Sequence, residues 1–261
     1  MTKGVVIFAF DNETTQYTEL AKWSATRIDQ HLGLPVSLIT NHELQGPHRF
    51  DQVILIDRPP ANGTRAGTWY NRSRYRAHEL SPYHQTVLLD ADYVVASDQI
   101  LALFDVDQPI LSMRWAFDCT GRRDYHDLNF FGRNNMPSAW ATILYWTRSK
   151  EADMVFGMMQ MIEQDWDHYK NIYGITERKF RNDYALAIAL NTVMGHTGTW
   201  PEIPWALATV EDDVAIKMLS HDEFELEYSD SGTKNKKNIV RGIDLHVMNK
   251  AQLGEIIGSH L

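Results

Sequence analysis

Cysteine is nearly absent from this chain of 261 residues: Cys119 stands alone. An intrachain disulfide is therefore excluded, and such usage suits a reducing compartment. No apolar run approaches the roughly 18 residues that a membrane-spanning helix needs. The apolar start, GVVIFAF, has no small-residue cleavage site after it and reads as a first strand, not a signal peptide. A cytoplasmic location is the expectation. Basic charge is in deficit, with 25 Lys and Arg against 34 Asp and Glu and a formal net charge of -9. That disfavours a broad cationic face that wraps nucleic acid, though not a local basic groove. Internal repeats, low-complexity tracts and a linker between two composition regimes are lacking too, so one domain is the simplest organisation.

What the chain does have is 44% hydrophobic residues, enough for a proper core. The first half alternates strand and helix signals. GVVIFAF, LPVSLIT, DQVILID and TVLLDADYVV read as strands. YTELAKWSATRIDQHLG places Leu20, Trp23, Ile28 and Leu32 near helical spacing and ends at Gly33. TWYNRSRYRAHELSPY reads as a helix. Later, PILSMRWAF and AWATILYW read as strands, and KEADMVFGMMQMIEQDWDHY and NDYALAIALNTVMG as helices, the methionines of the first as core packing. Residues 118–138 lack apolar periodicity and read as a long loop, and residues 229–238 as a mobile flap. The alternation predicts an α/β fold with a mostly parallel central sheet and helices on both faces.

One stretch, VLLDADYVV, poses a chemical question. Asp90 and Asp92 close a run that is otherwise apolar, and a strand would point both carboxylates the same way. Their repulsion needs a positive partner. At the carboxyl end of a parallel strand they face the crevice where open α/β sheets bind ligands. Hard oxygen ligands of this kind suit Mg²⁺ or Mn²⁺, which keep water and phosphate ligands besides.

The segment NRSRYRAHELSPYHQTVLLDADYVVASDQILALF resembles the central motif of the glycogenin-like nucleotide-sugar glycosyltransferases of the GT-A fold. Leu80, Tyr83, Asp90, Ala91 and Asp92 match in register, and Arg74 falls where that family carries a basic residue that contacts the donor. The resemblance is specific over residues 70–104 and implies a single GT-A-like domain over 1–261. Residues 1–104 would form its nucleotide- and metal-binding half and 105–261 its sugar and acceptor half. FAFDNETTQY then occupies the nucleotide-binding turn, with Phe10, Asn12 and Tyr17 toward base and ribose. In DLHVMNKAQLG, His246 is the implied third metal ligand and Lys250 the implied diphosphate contact. The Gly and Pro-Trp of the family motif are missing there, and Lys250 stands two positions early. RNDYALAIALN sits where the family places an acidic or amide residue near the anomeric carbon. Asp183 is the candidate and Asn182 the second, and an N-cap role for either is the structural alternative. In the polar loop, Asp127 and Asn129 are candidates for sugar hydroxyl contacts.

The resemblance thus implies a retaining, metal-dependent transfer of a sugar from a nucleoside diphosphate, UDP first, to a hydroxyl. A saccharide, a protein or a base in nucleic acid would each serve as acceptor. The small chain with its reduced C-terminal motif is similar to bacteriophage glycosyltransferases, some of which modify hydroxymethylated pyrimidines in DNA. In that case the basic clusters at 65–76 and 234–241 would meet phosphates, and Trp69 and Tyr70 would stack on a flipped base. The other reading makes those aromatics core or donor-site residues. Two further alternatives stand. A nucleotidyltransferase usually carries a Gly-rich basic loop after its first strand, and AFDNETTQY has neither Gly nor Lys. A catalytically silent nucleotide-binding module would keep the fold alone.

Overall fold

Six strands form the central sheet of the computed structural model, in the order Gln52–Leu55, Val36–Thr40, Lys3–Phe8, Gln85–Leu89, Trp140–Thr147, Ile110–Met113. Residues 1–64, 67–230 and 233–258 are described. The first four strands run parallel. Trp140–Thr147 runs antiparallel to both its neighbours. The sheet is therefore mostly parallel, as the alternation predicts.

Side chains along Lys3–Phe8 alternate between two cores, as the period of a strand requires. Val5 and Ile7 belong to one cluster with Leu20, Trp23 and Ile28 of helix Tyr17–Leu32 and with Leu253 and Ile257 of helix Lys250–Gly258. Val6 and Phe8 belong to the other, with Val155 and Phe156 of helix Lys150–Gln164 and Ile188 of helix Asn182–Val193. Each such buried aliphatic or aromatic side chain stabilises by about 1.5–3 kcal/mol. Both faces of the sheet are thus covered.

The helix ends follow local chemistry. Tyr17–Leu32 stops at Gly33, whose φ of 61° lets its N–H bond back to the carbonyls of Ile28 and Asp29. Lys150–Gln164 starts after Ser149, whose hydroxyl accepts from the Ala152 amide at 3.2 Å. In that helix Met159 is buried, but Met154 and Met161 are 58% and 55% exposed. Only part of the methionine run packs in the core. Tyr83, one of the residues that carry the resemblance, has a structural place: its ring lies where a Cβ on Gly4 would come within 2.5 Å, and its hydroxyl meets Ser37 Oγ at 2.8 Å.

Four local expectations are corrected. TWYNRSRYRAHELSPY is not one helix: Gly67–Trp69 is a strand, Arg72–Arg76 a 3₁₀ turn and Ala77–Leu80 a single α turn. Ser73 interrupts the helical backbone, and the segment has no sustained apolar stripe to bury. PILSMRWAF divides between Ile110–Met113 in the central sheet and Ala116–Asp118 in a second one. The flap at 229–238 is largely part of an antiparallel hairpin, Glu223–Asp230 with Thr233–Arg241, where Glu227 opposes Lys237 and Glu223 opposes Arg241. Its residues 231 and 232 lie outside the described residues, as does Arg65 of the first basic cluster. Finally, Asp90 and Asp92 are not strand residues. The strand stops at Leu89, and the Tyr93 amide closes a turn on the Asp90 carbonyl at 3.0 Å.

Two features place a site. The chain leaves Lys3–Phe8 toward Val36–Thr40 on one side, while Gln85–Leu89 pairs on the other. Between them the strand order reverses, and a crevice opens at their carboxyl ends. A second sheet, ordered Tyr93–Val94, Leu245–Val247, Leu207–Val210, Ala116–Asp118, then carries the C-terminal segment to that crevice.

Candidate active site

The crevice is a cleft of about 620 Å³. Its walls come from the loop after the first strand, the turn after Gln85–Leu89, the start of Trp140–Thr147, residues 177–183 and the C-terminal segment. At its floor the Asp90–Asp92 turn brings both carboxylates together. His246 joins them because Leu245–Val247 pairs antiparallel with Tyr93–Val94, setting His246 opposite Tyr93, next to Asp92 in the chain. A bond from the Val247 amide to the Asp92 carbonyl at 3.0 Å holds that register. One ligand atom from each of Asp90, Asp92 and His246 lies within 4.8 Å of the others.

Each carboxylate has its own cation. Arg74 Nη1 donates to Asp90 Oδ1, while Nη2 donates to the Ala141 carbonyl at 3.0 Å. Lys250 Nζ pairs with Asp92 Oδ2, and His246 Nε2 lies 3.7 Å from Asp92 Oδ1. The environments push the two acids apart. Burial raises the Asp90 carboxyl above its ordinary value; Arg74 opposes that and the neighbouring Asp92 adds to it. Burial alone would raise Asp92 too, but Lys250 and His246 outweigh it and hold that carboxyl below the ordinary value.

Asp183 and Asn182 reach the cleft at the start of helix Asn182–Val193. Neither is its N-cap, which is Arg181. Asp183 Oδ1 instead accepts from the Ala141 amide at 2.9 Å and Oδ2 from Arg181 at 2.9 Å. Asn182 donates to the Asn71 carbonyl at 3.0 Å. Phe10, Asn12 and Tyr17 also line the cleft. Asn12 is bound up locally: its Oδ1 accepts from the amides of Thr14 and Thr15, and its Nδ2 donates to the Thr68 carbonyl. The Tyr17 hydroxyl is held well above its ordinary range by burial and by Asp92.

Asp127 and Asn129 are not brought to the cleft. They belong to a 3₁₀ turn, His126–Leu128, and the residue that follows it, and neither lines the cavity. Asn129 is buried, with its amide and carbonyl bonded to His126 and Ser138. Trp69 and Tyr70 do line the cleft.

Trp140, Lys179, Arg181 and Asp212 also line the cavity, and none of them stands out in the sequence as a site candidate. Lys179 Nζ stands 5.5 Å from the centre of the Trp69 ring. A basic cluster, ERKFRND, directly before a helix was the available signal. Trp140 offered none, since it reads as an ordinary strand residue. Four buried polar atoms on cleft residues have no hydrogen-bond partner: Arg74 Nε, Trp140 Nε1, Asn182 Oδ1 and His246 Nδ1. Other such atoms among the described residues lie away from the cleft, as on His78, Arg114 and Trp146.

The sequence matches no protein-family model and none of the curated proteins. Similar solved structures include the glycosyltransferase GlyE of Streptococcus pneumoniae TIGR4, at 15% identity and a TM-score of 0.46 over 77% of this chain and 45% of that one. Galactosyltransferase LgtC in complex with donor and acceptor sugar analogs is similar at 15% identity and 0.45, over 72% of this chain and 69% of that one. The WbbM bifunctional glycosyltransferase follows at 15% and 0.40, over 77% and 46%. The chain thus spans less than half the length of GlyE.

Proposed function

We propose that the protein is a metal-dependent glycosyltransferase that moves a sugar from a nucleoside diphosphate to a hydroxyl acceptor. The observation that carries this reading is the convergence of Asp90, Asp92 and His246 at the switch point of a mostly parallel sheet. The cleft above them falls within the 300–1,000 Å³ or so typical of small-molecule sites.

The residues fit a divalent cation. Two carboxylates and one imidazole form the donor set, with one ligand atom of each within 4.8 Å of the others. A mixed oxygen and nitrogen set suits Mn²⁺ better than Mg²⁺, which favours oxygen alone. When bound, the ion would offset the charge that builds on the departing diphosphate.

The chain's own groups supply the rest. Lys179, whose ammonium stands 5.5 Å from the centre of the Trp69 ring, is the cation that the cleft wall offers to a diphosphate. Phe10, Tyr17 and Trp69 give it apolar walls for the nucleoside. Bonds from Ala141 and Arg181 orient the Asp183 carboxylate, which is assigned to the face of the sugar opposite the leaving group. An anion there stabilises an oxocarbenium-like centre. Retention of configuration is the outcome that the resemblance implies for such an arrangement.

A nucleotidyltransferase fits less well. The Thr14 and Thr15 amides after the first strand are already bonded to Asn12 and are not free to cradle a triphosphate. We take the acceptor to be a saccharide or protein hydroxyl, not a pyrimidine in phage DNA. Arg72, Lys237 and Arg241 of the basic clusters face Glu163, Glu225 and Glu223 at 2.7–2.8 Å, so a DNA phosphate would have to compete with those carboxylates for them.

The test is thermal stability against a panel of nucleoside diphosphates, with and without Mn²⁺. A ligand at a hundred times its dissociation constant adds about 2.7 kcal/mol. The expected result is a shift that requires metal and one nucleotide together, and that Asp92→Asn abolishes while leaving the unliganded fold intact. A panel in which no nucleotide moves the melt, with or without metal, would overturn the proposal in favour of a silent module.

A further inference from the structure

Lys250 stands where the resemblance implies a diphosphate contact, yet its ammonium is engaged elsewhere. Its Nζ pairs with Asp92 Oδ2 and also donates to the Val247 carbonyl at 3.2 Å. The other oxygen of Asp92 faces His246. Asp90 is covered in the same manner by Arg74. The two cations differ in anchorage. Both also meet a backbone carbonyl, but Arg74 has a side chain only 4% exposed. The Lys250 side chain is 23% exposed, lines the cleft and hangs on a flexible four-carbon stem at the start of a helix. Arg74 is built in, and Lys250 can move.

A dication and an ammonium cannot share one carboxylate without mutual repulsion, and the buried setting screens that repulsion little. Resting on the reading of Asp90, Asp92 and His246 as a metal site, we propose that Lys250 is the resident counter-ion of that site. It neutralises Asp92 in the metal-free protein and leaves it when a divalent cation binds. The displaced ammonium then lies in the cleft without a carboxylate, and a diphosphate is the anion that partners it. Metal and nucleoside diphosphate therefore assist each other's binding through Lys250, and by linkage the assistance is equal in both directions.

The test is Lys250→Met, which keeps the length of the stem and removes the charge. Mn²⁺ binding is followed by electron paramagnetic resonance. Loss of the competing cation should tighten Mn²⁺ by about ten- to a hundredfold in the absence of nucleotide. In the same variant, Mn²⁺ should strengthen UDP binding less than it does in wild type. An Mn²⁺ affinity equal to or weaker than that of wild type overturns the proposal. Mn²⁺ binding by neither protein overturns the metal reading itself, so the two failures are distinguishable.

A second measurement needs no variant. Wild-type protein is acetylated with acetic anhydride, with and without saturating Mn²⁺, and modification of Lys250 is read by mass spectrometry against Lys170, which pairs with Asp167 elsewhere in the fold. Reactivity of Lys250 should rise severalfold with Mn²⁺. Unchanged or reduced reactivity overturns the displacement.

Discussion

Replacing Arg74 with methionine leaves the Asp90 carboxylate without its cation and the Ala141 carbonyl without a charged donor. Breaking a buried ion pair from one side costs about 3–5 kcal/mol. The Asp90 side chain keeps 31% exposure, so solvent screens part of that loss, and about 2–3 kcal/mol is the discounted figure. For a chain of this size each kcal/mol moves the melting temperature by about 2–4 °C. The variant should thus melt about 4–12 °C below wild type in calorimetry at pH 7 with EDTA present. The deficit should shrink in acid. Because burial raises the Asp90 carboxyl in the folded protein, it contributes stability below its ordinary value of 3.8 and loses it as pH rises through the folded value. Without Arg74 the folded value rises further and that loss grows. Protonation at low pH removes the unpaired charge and the penalty with it. Mn²⁺ should restore part of the stability at neutral pH by supplying the missing positive charge. A variant that melts with wild type at pH 7, or whose deficit widens in acid, would refute the assignment of Arg74 to Asp90.

Other consequences follow from the same physics. Asp244 accepts bonds from the Ala96 and Ser97 amides at 2.8 Å and from the Tyr93 hydroxyl at 3.2 Å, yet burial still raises its carboxyl. It therefore costs stability as pH climbs above 3.8 through the raised value. Asp244→Asn should flatten the fall in melting temperature over that range, and parallel curves for the two proteins would contradict this. Cys119 is pushed up to about 12 by burial, with Asp118 adding to the shift. At pH 8 the native thiol should resist a disulfide reagent and react at once in guanidinium, so fast native labelling would show that the burial is wrong.

Much of the central sheet was legible in the sequence because it is written locally. Apolar strands alternating with an amphipathic helix, and Gly33 ending that helix, are patterns within a few turns of chain. The cleft position of Asp90 and Asp92 was legible for the same reason: paired acids at the end of an apolar strand. The turn that holds them was not, because TVLLDADYVV is apolar on both sides of the break. Asp127 and Asn129 misled because a polar loop looks alike whether it faces a cleft or packs beside it. The basic clusters are ambiguous for a related reason. Sequence showed the cations but not the carboxylates that the hairpin and helix Lys150–Gln164 set against them.

The sequence by itself determined the strands of the central sheet apart from their ends, their two-faced burial and the acidic pair, since these depend on neighbours within a few residues. Only the tertiary structure decided which cation meets which acid. His246 and Lys250 reach Asp92 through the pairing of Leu245–Val247 with Tyr93–Val94, across some 150 residues of chain. Arg74 reaches Asp90 because a 3₁₀ turn, not a long helix, leads into the strand. Pairings of that kind follow from strand register and from the packing of the whole sheet, and no local stretch encodes either.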